Sequence, residues 1–278
     1  MTTKTIRESG IDEEETVMAL DTEKLLEQAS QAVREAGELF ARRDMAGHIR
    51  QKGATDFVTQ VDLEVQTMLQ KRLAEIAPEV QFMGEEKDNS QVDLSGAVWI
   101  LDPVDGTTNL IHGYCHSAVS LALAEGGEVT MALIYDPYAG ELFTARKGHG
   151  AFCNGQPIHV SGAQHLSDSL VDVGTNPGER HLADRTFAWM RAIYDASHDV
   201  RRIGAASICL CYVAAGRIDG YVEGGLKPWD FGAGMLLVRE AGGMITTAEG
   251  KPLTLDGPSS VMAANGHIGP ELLALIHQ

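Results

Sequence analysis

The 278-residue chain is poor in positive charge: 22 Lys and Arg stand against 39 Asp and Glu, a formal net charge of −17. That balance excludes a constitutively basic nucleic-acid binder and disfavours an anionic membrane surface. A phosphorylated metabolite can still enter a site whose charge metal ions reverse locally. Cysteine is scarce as well. Cys115, Cys153, Cys209 and Cys211 form no CxxC pair, so a zinc ribbon or redox motif is excluded and the four read as reduced, buried thiols. No stretch approaches roughly 18 consecutive apolar residues, and the opening MTTKTIRESGIDEEE is polar. Neither membrane span nor signal peptide is expected, and a cytoplasmic location is the default. GxxxxGK[ST], GxGxxG, HExxH and GxSxG are all missing, which argues against P-loop hydrolysis, Rossmann cofactors, zincins and serine hydrolases. There is no internal repeat, low-complexity tract or Pro/Ser-rich linker to mark a clean domain boundary.

What is present is a globular composition, 44% hydrophobic and 22% charged with 30 glycines. At this length roughly 70% of the chain's surface can be buried. Residues 1 to 16, with Glu13, Glu14 and Glu15 in a row, read as a solvated, disordered extension. From Thr22, Leu25, Ala29, Val33, Ala36 and Phe40 recur at helical spacing and predict an amphipathic helix ending near Asp44. A second helix follows, with Asp62 as its cap, Val65, Leu69, Leu73 and Ile76 on one face, and Pro78 as its stop. The short apolar run Ala97 to Leu101 suits a buried strand that empties into Asp102 and Pro103. Ser117 to Ala124 and Val129 to Tyr135, joined by Gly126 and Gly127, predict an antiparallel meander that Leu142 to Ala145 extends. Beyond it, helical patterns near 180–196, 205–215 and 231–241 alternate with strands near Val200, Tyr221, Met244 and Val261. The fold class is mixed α and β.

Carboxylates crowd beside glycine, proline and threonine in GEE (Gly84 to Glu86) and in LDPVDGTTN (Leu101 to Asn109). Asp102 and Asp105, three residues apart across Pro103, can converge on one point to which the Val104 carbonyl also points. Hard oxygen donors of this kind suit Mg²⁺, which keeps several waters and completes its shell with phosphate. Asp-Pro and Asp-Gly are also ordinary turn dipeptides. In PWDFGAG (Pro228 to Gly234), Asp230 stands before a helical run, where capping accounts for an aspartate as well as a metal does. His112, Cys115 and His116 suit packing and hydrogen bonding better than a zinc site, and no metal is assigned to them.

Taken together, GEE, DPVDGTTNLIHG and PWDFGAGMLLVREAGG, in this order and separation, resemble the signature segments of the inositol monophosphatase family of magnesium-dependent, lithium-sensitive phosphatases. KGATDFVTQVD, YDPYAGELFTARKGHGAFCNG and YVAAGRIDGYVE add to the resemblance, which runs from about Leu20 to the end. The DGTTN continuation, rather than DGTK, is similar to the inositol monophosphatase branch.

The resemblance implies a layered α/β/α/β/α sandwich, with residues 17–278 as one catalytic domain of two intimate lobes meeting near 150–165. It implies two or three Mg²⁺ ions: Glu85, Asp102 and the Val104 carbonyl for the first, Asp102, Asp105 and Asp230 for the second. Glu85 and Thr107 are expected to activate the attacking water, with Asp62 supporting Thr107. Gly106, Thr107 and Thr108 are expected to cradle the phosphate. Gly204, Ala205 and Glu223 would face the polyol, and Lys52 resembles a lysine near the site. Family members often carry a hydroxyl where Ala205 stands, so a broad substrate range is expected. The implied function is hydrolysis of myo-inositol 1-phosphate, or more broadly of sugar and polyol phosphates, by a cytoplasmic homodimer. The competing reading is a transcription- or ribosome-associated regulatory protein on the same fold.

Overall fold

The computed structural model describes residues 22–41, 49–51 and 57–277. The expected N-terminal extension, the end of the first helix near Asp44, and Lys52 lie outside the described residues. In chain order the elements begin with α1 (Thr22–Ala41), β1 (Ile49–Gln51), β2 (Phe57–Thr59) and α2 (Gln60–Ile76). A seven-stranded sheet follows in the order β3 (Gln81–Gly84), β4 (Ala97–Asp105), β5 (Ala118–Glu125), β6 (Glu128–Asp136), β7 (Glu141–Arg146), β8 (Ala151–Cys153) and β9 (Gln156–Ile158). The β3–β4 pair is parallel and the rest antiparallel. The short helix α3 (Thr107–Ile111) interrupts the connection from β4 to β5.

The second half supplies β10 (Leu170–Val173), α4 (Ala183–Ala196), β11 (Asp199–Arg201), α5 (Ala206–Ala214), β12 (Gly220–Leu226), α6 (Pro228–Glu240), β13 (Met244–Thr246), β14 (Ser259–Ala264) and α7 (Gly269–Ile276). Its five strands pair in the order β11-β10-β12-β14-β13.

Side-chain alternation decides how these pieces stack. Along β4 and β5, Trp99, Leu101, Val119, Leu121 and Leu123 face α1 and α2, whose Leu25, Ala29, Val33, Val65 and Leu69 fill that layer. The opposite face of β5 carries Ala118, Ala122 and Ala124. Small residues there let α6 approach closely. Helices α5 and α6 are buried nearly all round, as expected of elements covered on both sides. Each Leu or Val enclosed there contributes about 1.5–3 kcal/mol relative to exposure. They lie between the two sheets, and at Gly234 any Cβ would stand 2.4 Å from the Leu210 side chain, so glycine is what permits their contact.

On the far side of the smaller sheet, Val222, Met262 and Ala264 meet Trp189 and Ile193 of α4 and Leu272 and Ile276 of α7. The layers are therefore α/β/α/β/α. Strands β3 and β8 to β10 and helices α3 and α7 fall in stretches where the sequence pattern singled out no element.

Candidate active site

The two aspartates of β4 owe their convergence to a bulge. Asp102 pairs with Ser120 and Asp105 with Ala118, so three steps along β4 answer two along β5. Residues three apart in a regular strand face opposite ways. The extra residue turns Asp105 back to the face of Asp102, the face on which the Ser120 hydroxyl meets the Trp229 carbonyl of α6 (3.2 Å). Pro103 sits in the bulge, where its missing N–H breaks no ladder bond. The Val104 N–H donates to Asp102 Oδ1 at 3.0 Å.

Glu85 follows β3, and its N–H donates to the Leu101 carbonyl at 3.2 Å, which ties it to the same end of β4. Gly106, at φ 85 before α3, holds a left-handed turn, and a Cβ there would come within 2.9 Å of the His116 carbonyl. Thr107 Oγ1 lies 3.1 Å from both Asp62 Oδ1 and the Val104 carbonyl oxygen.

Two capping expectations need correction. Helix α2 begins at Gln60, so Asp62 is in its first turn rather than at its cap, fully buried and turned to Thr107. In α6 the cap residue is Lys227. Asp230 stands three residues on, and its Oδ2 accepts the Lys227 N–H at 2.7 Å, the half of a capping box that a carboxylate at that position supplies. The aspartate therefore stabilises the helix start while still lining the cavity.

That cavity, of about 660 Å³, brings together Glu85, Asp102, Val104, Asp105, Gly106, Thr107, Thr108, Gly204, Glu223 and Asp230. Ala206 lines it too. Ala205 does not; it is buried at the start of α5 close to Gly106. His116 Nδ1 lies 3.0 Å from the Tyr114 carbonyl and its ring stacks on Tyr114, a packing arrangement.

Several residues of the site lie outside the sequence motifs. Ser207 donates both its N–H (2.7 Å) and its hydroxyl to Asp105 Oδ2. Arg202 lines the cavity and is held by the Thr175 hydroxyl at 2.8 and 3.0 Å. Asn176, Glu179 and Lys227 complete the rim, with Lys227 Nζ 3.8 Å from Glu179 Oε1. The one signal for Ser207 was a polar residue in the first turn of an otherwise apolar helical stretch.

Electrostatically the carboxylates strain against one another. Burial pushes Asp102 well above the usual carboxylate range, and the charges of Glu85, Asp105, Asp230 and Asp62 push it further. Asp230 is raised well above that range by burial and, secondarily, by Asp105 and Glu85. Burial also raises Asp105, against the hydrogen bonds from Ser207. Glu223, which accepts the Tyr221 hydroxyl at 2.5 Å, is lifted by burial to about 7. Asp172, whose Oδ2 accepts the Ile203 N–H at 2.9 Å, is lifted by burial to about 6. Asp102, Asp105, Asp230 and Glu223, perturbed this far and gathered in one cleft, mark a functional site, while Asp172 lies outside the cavity lining.

The donor set fits a hard cation. Every group that could face one is an oxygen, and added positive charge relieves the repulsion just described. Among the described residues no group of three or more acidic, His or Cys side chains is drawn together so as to hold a metal ion by itself.

Fold and site define a hydrolase of phosphoric monoesters. The family model for the inositol monophosphatase family matches residues 21–278, and the chain belongs to that family, whose members are generally metal-dependent. It is 38% identical to the inositol-1-monophosphatase of Rhizobium meliloti, covering 91% of this chain and 96% of that one. Against the Nus factor SuhB of Escherichia coli the identity is 37%, over 90% and 94% of the two chains. Among solved structures, the extragenic suppressor protein suhB of Bartonella henselae superposes with a TM-score of 0.84 at 34% identity, covering 92% and 99%. The inositol monophosphatase of Anabaena gives 0.82 at 32%, covering 92% and 96%. Among the described residues no helix is long and apolar enough to cross a membrane.

Proposed function

We propose that the protein is a Mg²⁺-dependent phosphatase that hydrolyses myo-inositol 1-phosphate, alongside other compact sugar and polyol phosphates, by in-line attack of water. The observation that carries this reading is the gathering of Glu85, Asp102, Asp105 and Asp230, from three separate segments, around one cavity edged by the Gly106 turn. In this reading Glu85, Asp102 and the Val104 carbonyl would hold one ion, and Asp102, Asp105 and Asp230 a second, two or three Mg²⁺ in all being what the resemblance implies. Bound there, Mg²⁺ supplies Lewis acidity toward the phosphoryl oxygens and lowers the pKa of the attacking water.

The chain's own groups do the positioning. The single Thr107 hydroxyl proton goes to Asp62 or to the Val104 carbonyl, so the lone pairs of Oγ1 remain to accept a hydrogen from water. Glu85 offers a second acceptor for the same water. Thr107 and Thr108 open a helix whose first N–H groups have no intrahelical acceptor, and with Gly106 they face the phosphate. Glu223, with the Tyr221 hydroxyl fixing one oxygen, accepts hydrogen bonds from the polyol beside Gly204 and Ala206, while Ala205 stays behind the cavity wall. Lys52 remains a candidate neighbour of the site. The reading extends to inhibition by Li⁺, a single catalytic unit over 17–278, a homodimer and a cytoplasmic location.

The test is phosphate release from myo-inositol 1-phosphate by the purified protein with and without Mg²⁺. Release should require the metal and fall when Ca²⁺, which prefers more ligands at longer distances, replaces it. Undiminished turnover in excess EDTA overturns the reading. A regulatory role has one observation in its favour, the 37% identity to a relative called a Nus factor. Absence of phosphate release at every Mg²⁺ concentration would favour it.

A further inference from the structure

Asp105 is gripped from the other half of the molecule. Ser207, in the first turn of α5 and 102 positions away, sends two donors to a single oxygen: its N–H at 2.7 Å and its hydroxyl. The Ser207 side chain is fully buried and does not line the cavity, so it reaches neither substrate nor solvent. Asp105 has reason to move. It is buried among like charges and raises both Asp102 and Asp230, each of which repels it in return. One donor fixes a distance; two donors on the same oxygen fix that oxygen's place, and with it the plane of the carboxylate.

We infer that Ser207 is a positioning residue that holds Asp105 against the repulsion of its neighbours, so that the carboxylate cluster is arranged for the divalent cation before the cation arrives. The inference rests on the metal reading proposed above. The cost of rearranging a ligand falls on metal affinity, and loss of a partner that orients a ligating side chain typically weakens binding by about 10- to 100-fold. The Ser207 N–H survives substitution, so the effect of losing the hydroxyl belongs at the lower end of that range.

Titration calorimetry of the purified protein with MgCl₂ alone tests this without any turnover. Ser207→Ala should bind Mg²⁺ about tenfold more weakly than the wild type, and its phosphate release should recover when Mg²⁺ is raised in proportion. A purely structural defect would not be rescued by the ion. Ser207→Cys, near in shape but a weak donor, should show the same loss and keeps the test usable if the alanine variant folds poorly. Equal or tighter Mg²⁺ binding in these variants overturns the inference, as does turnover that stays low at saturating Mg²⁺. A wild-type protein that binds no Mg²⁺ fails the metal reading itself, whatever the variants do.

Discussion

Glu223 is the residue at which burial and function pull furthest apart, and the tension is measurable. The residue is 8% exposed, and burial lifts its carboxyl from 4.5 to about 7, although the Tyr221 hydroxyl and Arg202 favour the charged form. Below pH 4.5 both folded and unfolded chains carry the proton, so the group costs nothing. Between 4.5 and about 7 the unfolded chain releases its proton while the folded chain keeps it, so stability falls as pH rises through that window. At about 1.36 kcal/mol per pH unit, the full loss is about 3 kcal/mol. Glu223→Gln keeps the shape and an oxygen to accept the Tyr221 hydroxyl, and it has no proton to lose. Urea unfolding without added Mg²⁺, compared between variant and wild type, should show little difference near pH 4.5 and a stabilisation approaching about 3 kcal/mol at pH 8. In a chain of this size that is a rise of about 6 °C in Tm. Turnover should move the other way: a neutral acceptor holds a polyol hydroxyl less tightly than a carboxylate, and kcat/KM should fall about tenfold. A stability difference that stays flat from pH 4.5 to 8, or a variant less stable at pH 8, refutes the burial argument.

Two further outcomes are expected. Asp105→Asn keeps an oxygen for the Ser207 donors and should leave the circular dichroism spectrum unchanged, yet kcat should drop by at least about 100-fold, the scale of one lost preorganised charge. Near-normal turnover at low Mg²⁺ would reduce Asp105 to a turn residue. Ala205 occupies the cap position of α5 at φ −139 and ψ 112 with no side-chain cap, so Ala205→Ser should add about 1 kcal/mol of stability, seen as about 2 °C in Tm. Because Ala205 does not line the cavity, the ratio of kcat/KM for inositol 1-phosphate over glycerol 2-phosphate should hardly change. A several-fold gain in that ratio would put the side chain in contact with substrate.

The parts of the fold and of the site that were legible in the sequence are those written in short-range pattern. The period of α1 and α2, the apolar run of β4 and the Gly126–Gly127 hairpin can each be read within a dozen residues, because burial of one face imposes the spacing. Asp102 and Asp105 stood out for the same reason: proline and glycine around them announce a break in the strand. What the spacing could not disclose is why the two meet. Three residues is the wrong interval for one face of a strand, and only the pairing with Ser120 and Ala118 reveals the bulge that makes it the right one. Local sequence alone suits Asp62 to a helix cap and leaves Asp230 between a cap and a metal ligand. Each helix begins two residues before its aspartate, and that small offset turns Asp62 inward to Thr107 and leaves Asp230 both a cap partner and a cavity group. Ser207 was illegible for a stronger reason. Its partner is 102 positions away, and a serine at a helix start is by itself explained by the helix. Such a contact is fixed by the packing of α5 between two sheets, a property of the assembled layers that no window of sequence contains. Any relative that keeps all four carboxylates but lacks a donor at this position should therefore fold alike and bind its cation more weakly.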